Sequence, residues 1–268
     1  MKVAWFSAGI TSAVACKLAV EAYEDVELYY IHIGSAHKDN ERFIRECEAW
    51  IGSKINVVTN LKGYSDQFDV IRHTKYINGA YGARCTLELK KQVRRNLESE
   101  LSPTNQIFGF EYSKSEINRA IRFKEQHPDT NPFFPLIDQR LTKEECAGIV
   151  TNAGIELPAM YRLGYNNNNC IGCVKGKKGY WNKIRVDFPE IFAEMAIAER
   201  EVGATCIKED ISGGGSRRVY LDELDPSEGR TPSPVIPNCG MFCQVEFAHI
   251  MDKRVEKIIN NELSICEV

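Results

Sequence analysis

The chain has 268 residues, of which 43% are hydrophobic and 26% charged, and its formal net charge is −3. This composition is typical of an ordinary globular protein with one large domain or two small ones. A net charge so close to zero excludes a strong overall field toward nucleic acid or a membrane surface. No stretch reaches the about 18 apolar residues of a membrane span, and no secretory signal is visible at the N-terminus. We therefore expect a cytoplasmic protein without a membrane partner.

Strands and helices alternate along the first part of the chain. β-branched and aromatic runs predict strands, and apolar residues at the spacing of one helix face predict helices. Thr142 and Glu145 form a capping box at the start of one helix. The predicted strands are residues 2–6, 26–33, 55–58 and 106–110, and the predicted helices are residues 12–22, 40–51, 86–101, 114–125, 142–152 and 189–202. This alternation predicts an α/β fold, a doubly wound and mostly parallel sheet with helices on both faces.

The composition changes after residue 165. Asparagines and glycines predict loops at residues 166–169 and 172–179, and Gly-, Ser- and Pro-rich stretches predict irregular structure at residues 212–216 and 225–237. We expect an α/β domain over residues 1–165. A loop-rich, cysteine-containing C-terminal region, residues 166–268, would pack on that core.

The first strand is followed by the turn Ser7-Ala8-Gly9-Ile10-Thr11-Ser12, which opens the first helix. Backbone N–H groups and the positive end of the helix dipole converge at such a junction, which favours an anion. Gly9 allows close backbone approach, and the hydroxyls of Ser7, Thr11 and Ser12 can donate hydrogen bonds. The alternative is an ordinary tight turn between a strand and a helix.

Two arginines on the predicted helix at residues 114–125 are a second candidate anion site. Arg119 and Arg122 are three residues apart and share a helix face with Glu116. Their guanidinium groups could cradle a phosphate or sulfate. The alternative is a solvated face with Glu–Arg pairs.

Ten cysteines are many for a reducing compartment, where structural disulfides are rare. Three of them lie within helical patterns, which is typical of small buried hydrophobic residues: Cys16, Cys47 and Cys146. Cys206 and Cys266 have no informative neighbours.

Two cysteine pairs have the spacing of metal ligands. Cys170 and Cys173 form a Cys-x-x-Cys turn, and Cys239 and Cys243 form a second pair. Together they could hold zinc, although the separation of the two pairs is longer than usual. The first pair could instead be a redox pair, and the absence of any metal is a third interpretation.

Several segments resemble a known family in the same order along the chain. Residues 7–14 resemble the modified phosphate loop of the phosphoadenylyl-sulfate and adenylyl-sulfate reductases, within the adenine nucleotide α-hydrolase superfamily. Thr11 stands where the related ATP pyrophosphatases carry Asp, which argues against ATP cleavage. The other matching segments are Ile33-Gly34, residues 40–43, Gly109-Phe110-Glu111, Asn131-Pro132, Pro135-Leu136, residues 141–144, residues 155–158 and Gly164-Tyr165.

This resemblance implies an adenine nucleotide as the substrate of residues 1–165. It implies that the phosphate loop and two arginines bind the nucleotide: Ser7, Gly9, Thr11, Ser12, Arg119 and Arg122. It also implies that Cys239 attacks the substrate sulfur and that a thiol donor such as thioredoxin completes the reduction. Asn238 and Phe242 replace the Glu and His of the family's tail motif.

The iron–sulfur members of the family carry a Cys-x-x-Cys pair at the place of Cys170 and Cys173, and a tandem cysteine pair earlier. Cys85 alone stands at the earlier place. The resemblance implies a [4Fe–4S] cluster on Cys85, Cys170 and Cys173, with the fourth iron open or ligated by Cys239 or Cys243. We expect Cys243 as the remaining metal ligand and Cys239 as the nucleophile. Zinc is the alternative.

The expected function is therefore an enzyme of sulfur chemistry, an oxidoreductase similar to these reductases. The first alternative is an ATP-dependent sulfur transferase acting on a nucleobase or nucleic acid. The single Cys85 and the basic loop of Lys175, Lys177 and Lys178 favour it, whereas Thr11 argues against it. The second alternative is a non-catalytic nucleotide-binding zinc protein.

Overall fold

A computed structural model describes residues 1–79, 82–211 and 214–238. The strands are β1 (Lys2–Phe6), β2 (Val26–Ile31), β3 (Ile55–Val58), β4 (Asn105–Ile107), β5 (Pro132–Phe133), β6 (Ile207–Asp210) and β7 (Ser216–Val219). The α-helices are α1 (Ile10–Ala22), α2 (Asn40–Ile51), α3 (Gln67–Thr74), α4 (Arg84–Thr86), α5 (Gln92–Leu101), α6 (Lys114–Gln126), α7 (Pro135–Asp138), α8 (Lys143–Asn152), α9 (Ala159–Arg162), α10 (Lys178–Asp187) and α11 (Pro189–Val202). A π-helical turn, Leu87–Lys91, joins α4 to α5, and 3-10 turns lie at Pro128–Thr130 and Leu221–Glu223. None of the helices in the described ranges has the length and apolar character needed to cross a bilayer.

The main sheet is parallel, with the strand order β3-β2-β1-β4-β5. Lys2 at the start of β1 pairs with Val26 on one side and Asn105 on the other. The chain winds outward from β1 through β2 to β3, and then returns to add β4 and β5 on the opposite side. The direction of winding therefore reverses between β1 and β4. In open α/β sheets ligands bind at this point, beyond the carboxyl ends of the strands.

Successive side chains of β1 point to opposite faces of the sheet, and each face is covered. Ala4 and Phe6 are buried in a core that includes residues of α1, α2 and α8. Trp5 packs on the other side, against a cluster built from the segment after β4 and from α6. The predicted doubly wound α/β fold, with helices on both faces, is confirmed.

A second core lies beside the sheet and joins α3, α10, α11 and the antiparallel hairpin β6–β7. Trp181 and Ile184 of α10 are fully buried there with Phe68 and Ile71 of α3. Residues from before and after position 165 thus share one hydrophobic cluster. The predicted domain boundary at residue 165 stays a prediction.

The returning segment after the hairpin crosses two helices at glycines. A Cβ at Gly179 of α10 would overlap the carbonyl oxygen of Arg230, and a Cβ at Gly148 of α8 would overlap that of Asn238. The backbone N–H of Asn238 also donates to the carbonyl of Glu144, at 3.0 Å. These backbone contacts hold the segment against the core up to the last described residue.

Most predicted elements are present, with several differences. The predicted strand at residues 26–33 ends at Ile31, and the strand at residues 106–110 is reduced to β4. The glycine-rich stretch predicted as a loop ends earlier than expected, because α10 begins at Lys178. Helix α3 and the hairpin β6–β7 were not predicted. The capping box is present, with the Thr142 side chain and Glu145 bonded to each other's backbone N–H groups.

Glu199 of α11 is fully buried and fixes the chain on both sides of the hairpin. Its Oε1 accepts from the backbone N–H of Cys206 at 2.5 Å, and its Oε2 accepts from that of Leu221 at 2.7 Å. Burial raises the pKa of this carboxyl, and the two N–H donors act against that rise. Glu199 is thus the polar anchor of the second core.

Glu199→Gln should destabilise the protein by about 1–3 kcal/mol, because one carboxylate acceptor becomes an NH₂ group facing a buried backbone donor. Urea unfolding followed by circular dichroism measures the loss. Glu201→Gln is the matched control, since Glu201 is exposed on the same helix. Equal stability of the two variants would contradict the anchoring role of Glu199.

Candidate functional site

The turn after β1 is shaped by the hydroxyl of Ser12. Ser12 Oγ accepts from the backbone N–H of Ser7 at 2.9 Å and from the Ser7 hydroxyl at 3.0 Å, and it donates to the Gly9 carbonyl at 2.8 Å. These partners use all the hydrogen-bonding capacity of a hydroxyl. Ser12 is buried, whereas Ser7 is exposed and Thr11 half-buried. Ser12 therefore holds the loop in shape, and Ser7 and Thr11 keep access to a ligand.

Ala8 is the strained residue of this loop. Its φ of 57° lies in the left-handed region, which costs a non-glycine residue on the order of 1 kcal/mol or more. The Asn168 amide donates to the Ala8 carbonyl at 2.6 Å and to Asn40 Oδ1 at 2.8 Å. Gly9, in contrast, is extended, with a φ of −99°. Ala8 thus has the left-handed conformation in this loop, and the hydrogen bond from Asn168 stabilises that conformation.

The closest backbone approach at the loop belongs to Gly109, in the segment after β4. A Cβ at Gly109 would lie 2.7 Å from Ser12 Cα and 2.9 Å from the Thr11 carbonyl carbon. A Cβ at Gly9 would meet only the Tyr161 hydroxyl at 3.4 Å and the Ser7 hydroxyl at 3.5 Å. Gly109, which was not among the predicted site residues, is thus the glycine that the loop requires.

A cavity of about 180 Å³ opens beside this loop, beyond the carboxyl ends of β1, β2 and β4. Its walls are mostly aromatic and aliphatic, and three cations of the π-turn and α5 line it: Lys90, Lys91 and Arg94. Ser7, Asn40 and Asn168 add polar groups. An apolar cavity with a few polar groups and cations has the character of a small-molecule site. The three cations were missed in sequence because they lie on a helix with the charge pattern of a solvated surface.

The two predicted arginines have different surroundings in the structure. Arg119 lies 4.2 Å from the centre of the Phe110 ring, pairs with Glu116 at 3.0 Å, and lines a second cavity. Arg122 is exposed and lines neither of the two cavities.

The second cavity, of about 290 Å³, brings together Cys85, Cys170 and Cys173. Cys85 lies in α4, and the other two belong to the predicted Cys-x-x-Cys turn. Lys90 and Cys170 line both cavities, so the two spaces adjoin.

Hydrogen bonds with three other residues hold the Cys-x-x-Cys turn in place. The Tyr180 hydroxyl donates to the Cys170 carbonyl at 3.1 Å and accepts from the Cys173 N–H at 2.9 Å. The Ile171 N–H donates to Ser35, and the Ile171 carbonyl accepts from Gln67 Nε2 at 3.0 Å. The turn is therefore preorganised by its neighbours.

The charges in the second cavity are coupled. Burial raises the pKa of Cys85 to about 11, and the nearby Cys173 and Cys170 add to that rise. Burial likewise raises the pKa of Cys173. The neighbouring Cys170 raises the pKa of Lys90, and Cys173 and Cys85 contribute further. Lys90 and Lys175 act against the rise in the pKa of Cys85 and Cys173, because a nearby cation favours the thiolate form.

Three predicted metal-site residues meet in this cavity, but they do not form a site for a single ion. Within the described ranges, no group of three or more His, Cys, Asp and Glu side chains is close enough to hold one metal ion. Cys239 and Cys243 lie outside the described residues. Cys16, Cys47 and Cys146 are buried as predicted.

Gly109→Ala should destabilise the protein by about 1–3 kcal/mol, since the added methyl group overlaps the backbone at Thr11 and Ser12. Gly9→Ala is the matched control, because its methyl group finds only ordinary contacts. Thermal and urea unfolding of both variants provide the comparison. A Gly9 variant that is less stable than the Gly109 variant would contradict the assignment of the close approach to Gly109.

Comparison with known proteins places these observations in a family. The model of the phosphoadenosine phosphosulfate reductase domain matches residues 2–177. No curated protein sequence matches the chain. Among solved structures, the phosphate complex of phosphoadenylyl-sulfate (PAPS) reductase from Candida auris is similar, with a TM-score of 0.45 and 13% identity, covering 62% of this chain and 78% of that chain. Because the family model spans well over half of the sequence, the protein belongs to the phosphoadenosine phosphosulfate reductase domain family.

Proposed function

We propose that the protein is an oxidoreductase that binds an adenylylated sulfate in the cavity beside the phosphate loop and releases sulfite from it. One observation carries this proposal: the cavity with three cations adjoins the cavity with three cysteines, and Lys90 and Cys170 line both. A nucleotide with a sulfate group needs both an anion site and sulfur chemistry nearby. The membership in a reductase family supports the same activity.

The nucleotide's anionic groups would lie between the start of α1 and the cations of the π-turn and α5. The first turn of α1 has no acidic residue, so the positive end of its dipole favours an anion. Lys90, Lys91 and Arg94 would add charge-assisted bonds from the opposite wall. The aromatic rings of Trp5 and Phe108 line the same cavity and would pack against the base.

The second cavity fits a cysteine-ligated iron–sulfur cluster, the cofactor that the family resemblance implies. Its volume is many times the ~10–15 Å³ that one water requires, so it suits a group of several atoms. Cysteines of a four-iron cluster ligate different irons and need not meet at one ion. The three cysteines that line it are the ligand type of such clusters, and Lys90 beside them would balance part of the negative charge. Bound there, the cluster would contribute charge next to the substrate.

Cys239, outside the described residues, would be the nucleophile. Its thiolate would attack the sulfate sulfur, forming an S–S bond while the S–O bond to the nucleotide phosphate breaks and the nucleoside phosphate leaves. An external dithiol such as thioredoxin would then reduce the enzyme S-sulfonate by two electrons, releasing sulfite and becoming a disulfide. Asn238 is the last described residue, and its N–H donates to the Glu144 carbonyl of α8. Cys239 follows it directly in the sequence.

ATP-dependent sulfur transfer is the second candidate. Only three cysteines line the described part of the second cavity, which would leave one iron of a four-iron cluster for an external sulfur. In that reaction the enzyme would adenylate a nucleobase or nucleic-acid acceptor, and the sulfur would displace AMP.

Lys91→Met should weaken adenine-nucleotide binding at least tenfold, about 1.4 kcal/mol, because a charge-assisted bond to an anionic group is lost. Arg95→Met is the matched control, since Arg95 is exposed and does not line the cavity. Isothermal titration calorimetry with adenylyl sulfate and its 3′-phosphorylated form measures both affinities. Equal affinities for the two variants would remove this cavity wall from the nucleotide site.

Cys239→Ser should abolish sulfite release and leave nucleotide affinity unchanged, because only the nucleophile is removed. Wild-type protein incubated with either sulfate nucleotide and no thiol should gain a sulfonate-sized adduct on a peptide containing Cys239, visible by mass spectrometry. The absence of this adduct, together with AMP formation from ATP and sulfide, would replace the reductase with the sulfur transferase. The absence of both reactions would leave a nucleotide-binding protein.

A further inference from the structure

Asn168 joins three segments of the chain at the wall of the first cavity. Its side-chain amide donates to the Ala8 carbonyl of the phosphate loop at 2.6 Å and to Oδ1 of Asn40, at the start of α2, at 2.8 Å. Both asparagines line the cavity, and Asn40 is buried. The amide therefore bridges the elements that follow β1 and β2, and it does so from a third segment that is distant in sequence.

The amide of Asn168 has no group left for a ligand. An asparagine side chain has two N–H hydrogens, and Ala8 and Asn40 accept both of them. The Oδ1 atom of Asn168 is buried. Asn168 is therefore placed to hold the site in shape, and its amide does not serve as a contact to a nucleotide.

The bond to Ala8 holds a conformation that alanine avoids. Ala8 is fully buried, and its φ of 57° is left-handed, which residues with a side chain rarely adopt. The right-handed and extended regions are lower in energy, and a change to either would redirect the Ala8 carbonyl and the peptide that leads to Gly9. Ser7, directly before Ala8, lines the first cavity. The shape of this cavity wall thus depends on the conformation of Ala8.

The segment that carries Asn168 is itself held on both sides. Before it, Lys143 of α8 donates to the Asn166 carbonyl at 3.4 Å. After it, the Tyr180 hydroxyl donates to the Cys170 carbonyl at 3.1 Å. The amide of Asn168 is therefore presented to the phosphate loop from a fixed backbone, and the Cys-x-x-Cys turn begins two residues after it.

We infer that Asn168 is a positioning residue of the nucleotide site, which keeps the phosphate loop in its binding conformation by holding the carbonyl of Ala8. This inference rests on the nucleotide site of the proposed function. With the amide in place, a nucleotide meets a loop that is already formed. Without it, the nucleotide would bind only the fraction of molecules in which Ala8 is left-handed. Because Cys170 follows closely and lines both cavities, the same contact keeps the cysteine turn beside the nucleotide site.

The test is the affinity of the full-length protein for adenylyl sulfate and its 3′-phosphorylated form, measured by isothermal titration calorimetry. Asn168→Ala should weaken binding about fivefold or more, because Ala8 would leave its left-handed conformation in most molecules. Asn167→Ala is the matched control and should keep the wild-type affinity. Asn167 is exposed, lines neither of the two cavities, and accepts from Lys143 instead of contacting the loop.

A second background separates this role from a general effect on stability. Glycine adopts left-handed conformations about as readily as right-handed ones, so a glycine at position 8 needs less support. In an Ala8→Gly background, Asn168→Ala should therefore weaken nucleotide binding less than about twofold. A residue that only stabilised the fold would cause the same loss of affinity in both backgrounds. Equal losses in the two backgrounds would overturn the inference.

Asn168→Ser covers the case in which the alanine variant does not fold. The serine hydroxyl is too short to bridge the two acceptors, so this variant should show the same loss of affinity and the same relief by Ala8→Gly. Wild-type affinity in either variant of Asn168 would overturn the inference, as would an equal loss in Asn167→Ala. Wild-type protein that binds neither sulfate nucleotide would refute the nucleotide site of the proposed function, and the inference with it. The two failures are therefore distinguishable.

Discussion

The candidate site depends on the contact between two backbones at the point where the sheet reverses its winding. Strands β1 and β4 are neighbours, so the loops that follow them must pass each other at the same edge. Gly109 allows this passage, because any side chain there would overlap the start of α1. The first turn of α1 is therefore held against the segment after β4, next to the loop residue Ser7 that lines the cavity. The shape of the loop beside the first cavity follows from this one steric constraint.

The second core positions the cysteines, as the contact at Gly109 positions the phosphate loop. Tyr180 bridges the two ends of the Cys-x-x-Cys turn, and α10 is buried through Trp181. The buried carboxylate of Glu199 ties α11 to the chain on both sides of the hairpin. A buried carboxylate costs free energy unless its oxygens accept hydrogen bonds, and here both do. The hydrophobic cluster thus positions a cysteine region that no single segment could build.

The sequence predicted the parts of the fold that follow from local pattern. The alternation of strands and helices, the burial of Cys16, Cys47 and Cys146, and the capping box at Thr142 are all present. What it missed depends on contacts between distant segments. Helix α10 was not predicted, because Gly179 was taken as part of a loop. Gly179 is required because the backbone of Arg230 crosses the helix at this position.

The site was predicted less completely than the fold, for the same reason. The phosphate loop could be recognised from the sequence. The position at which only glycine fits is Gly109, which belongs to a different segment, and the residue with the left-handed conformation is Ala8. Spacing placed Arg119 and Arg122 on one helix face, yet of the two only Arg119 lines either of the two cavities described.

Lys90 connects the two halves of the site and explains why their chemistry would be coupled. It lines both cavities, and the charge of Cys170 raises its pKa. A cation that is shared by a sulfate group on one side and thiolates on the other lowers the repulsion between two negative groups. Loss of this charge would therefore affect both halves of the site, because the first cavity would lose a cation and the cysteines would lose a group that acts against the rise in the pKa of Cys85 and Cys173.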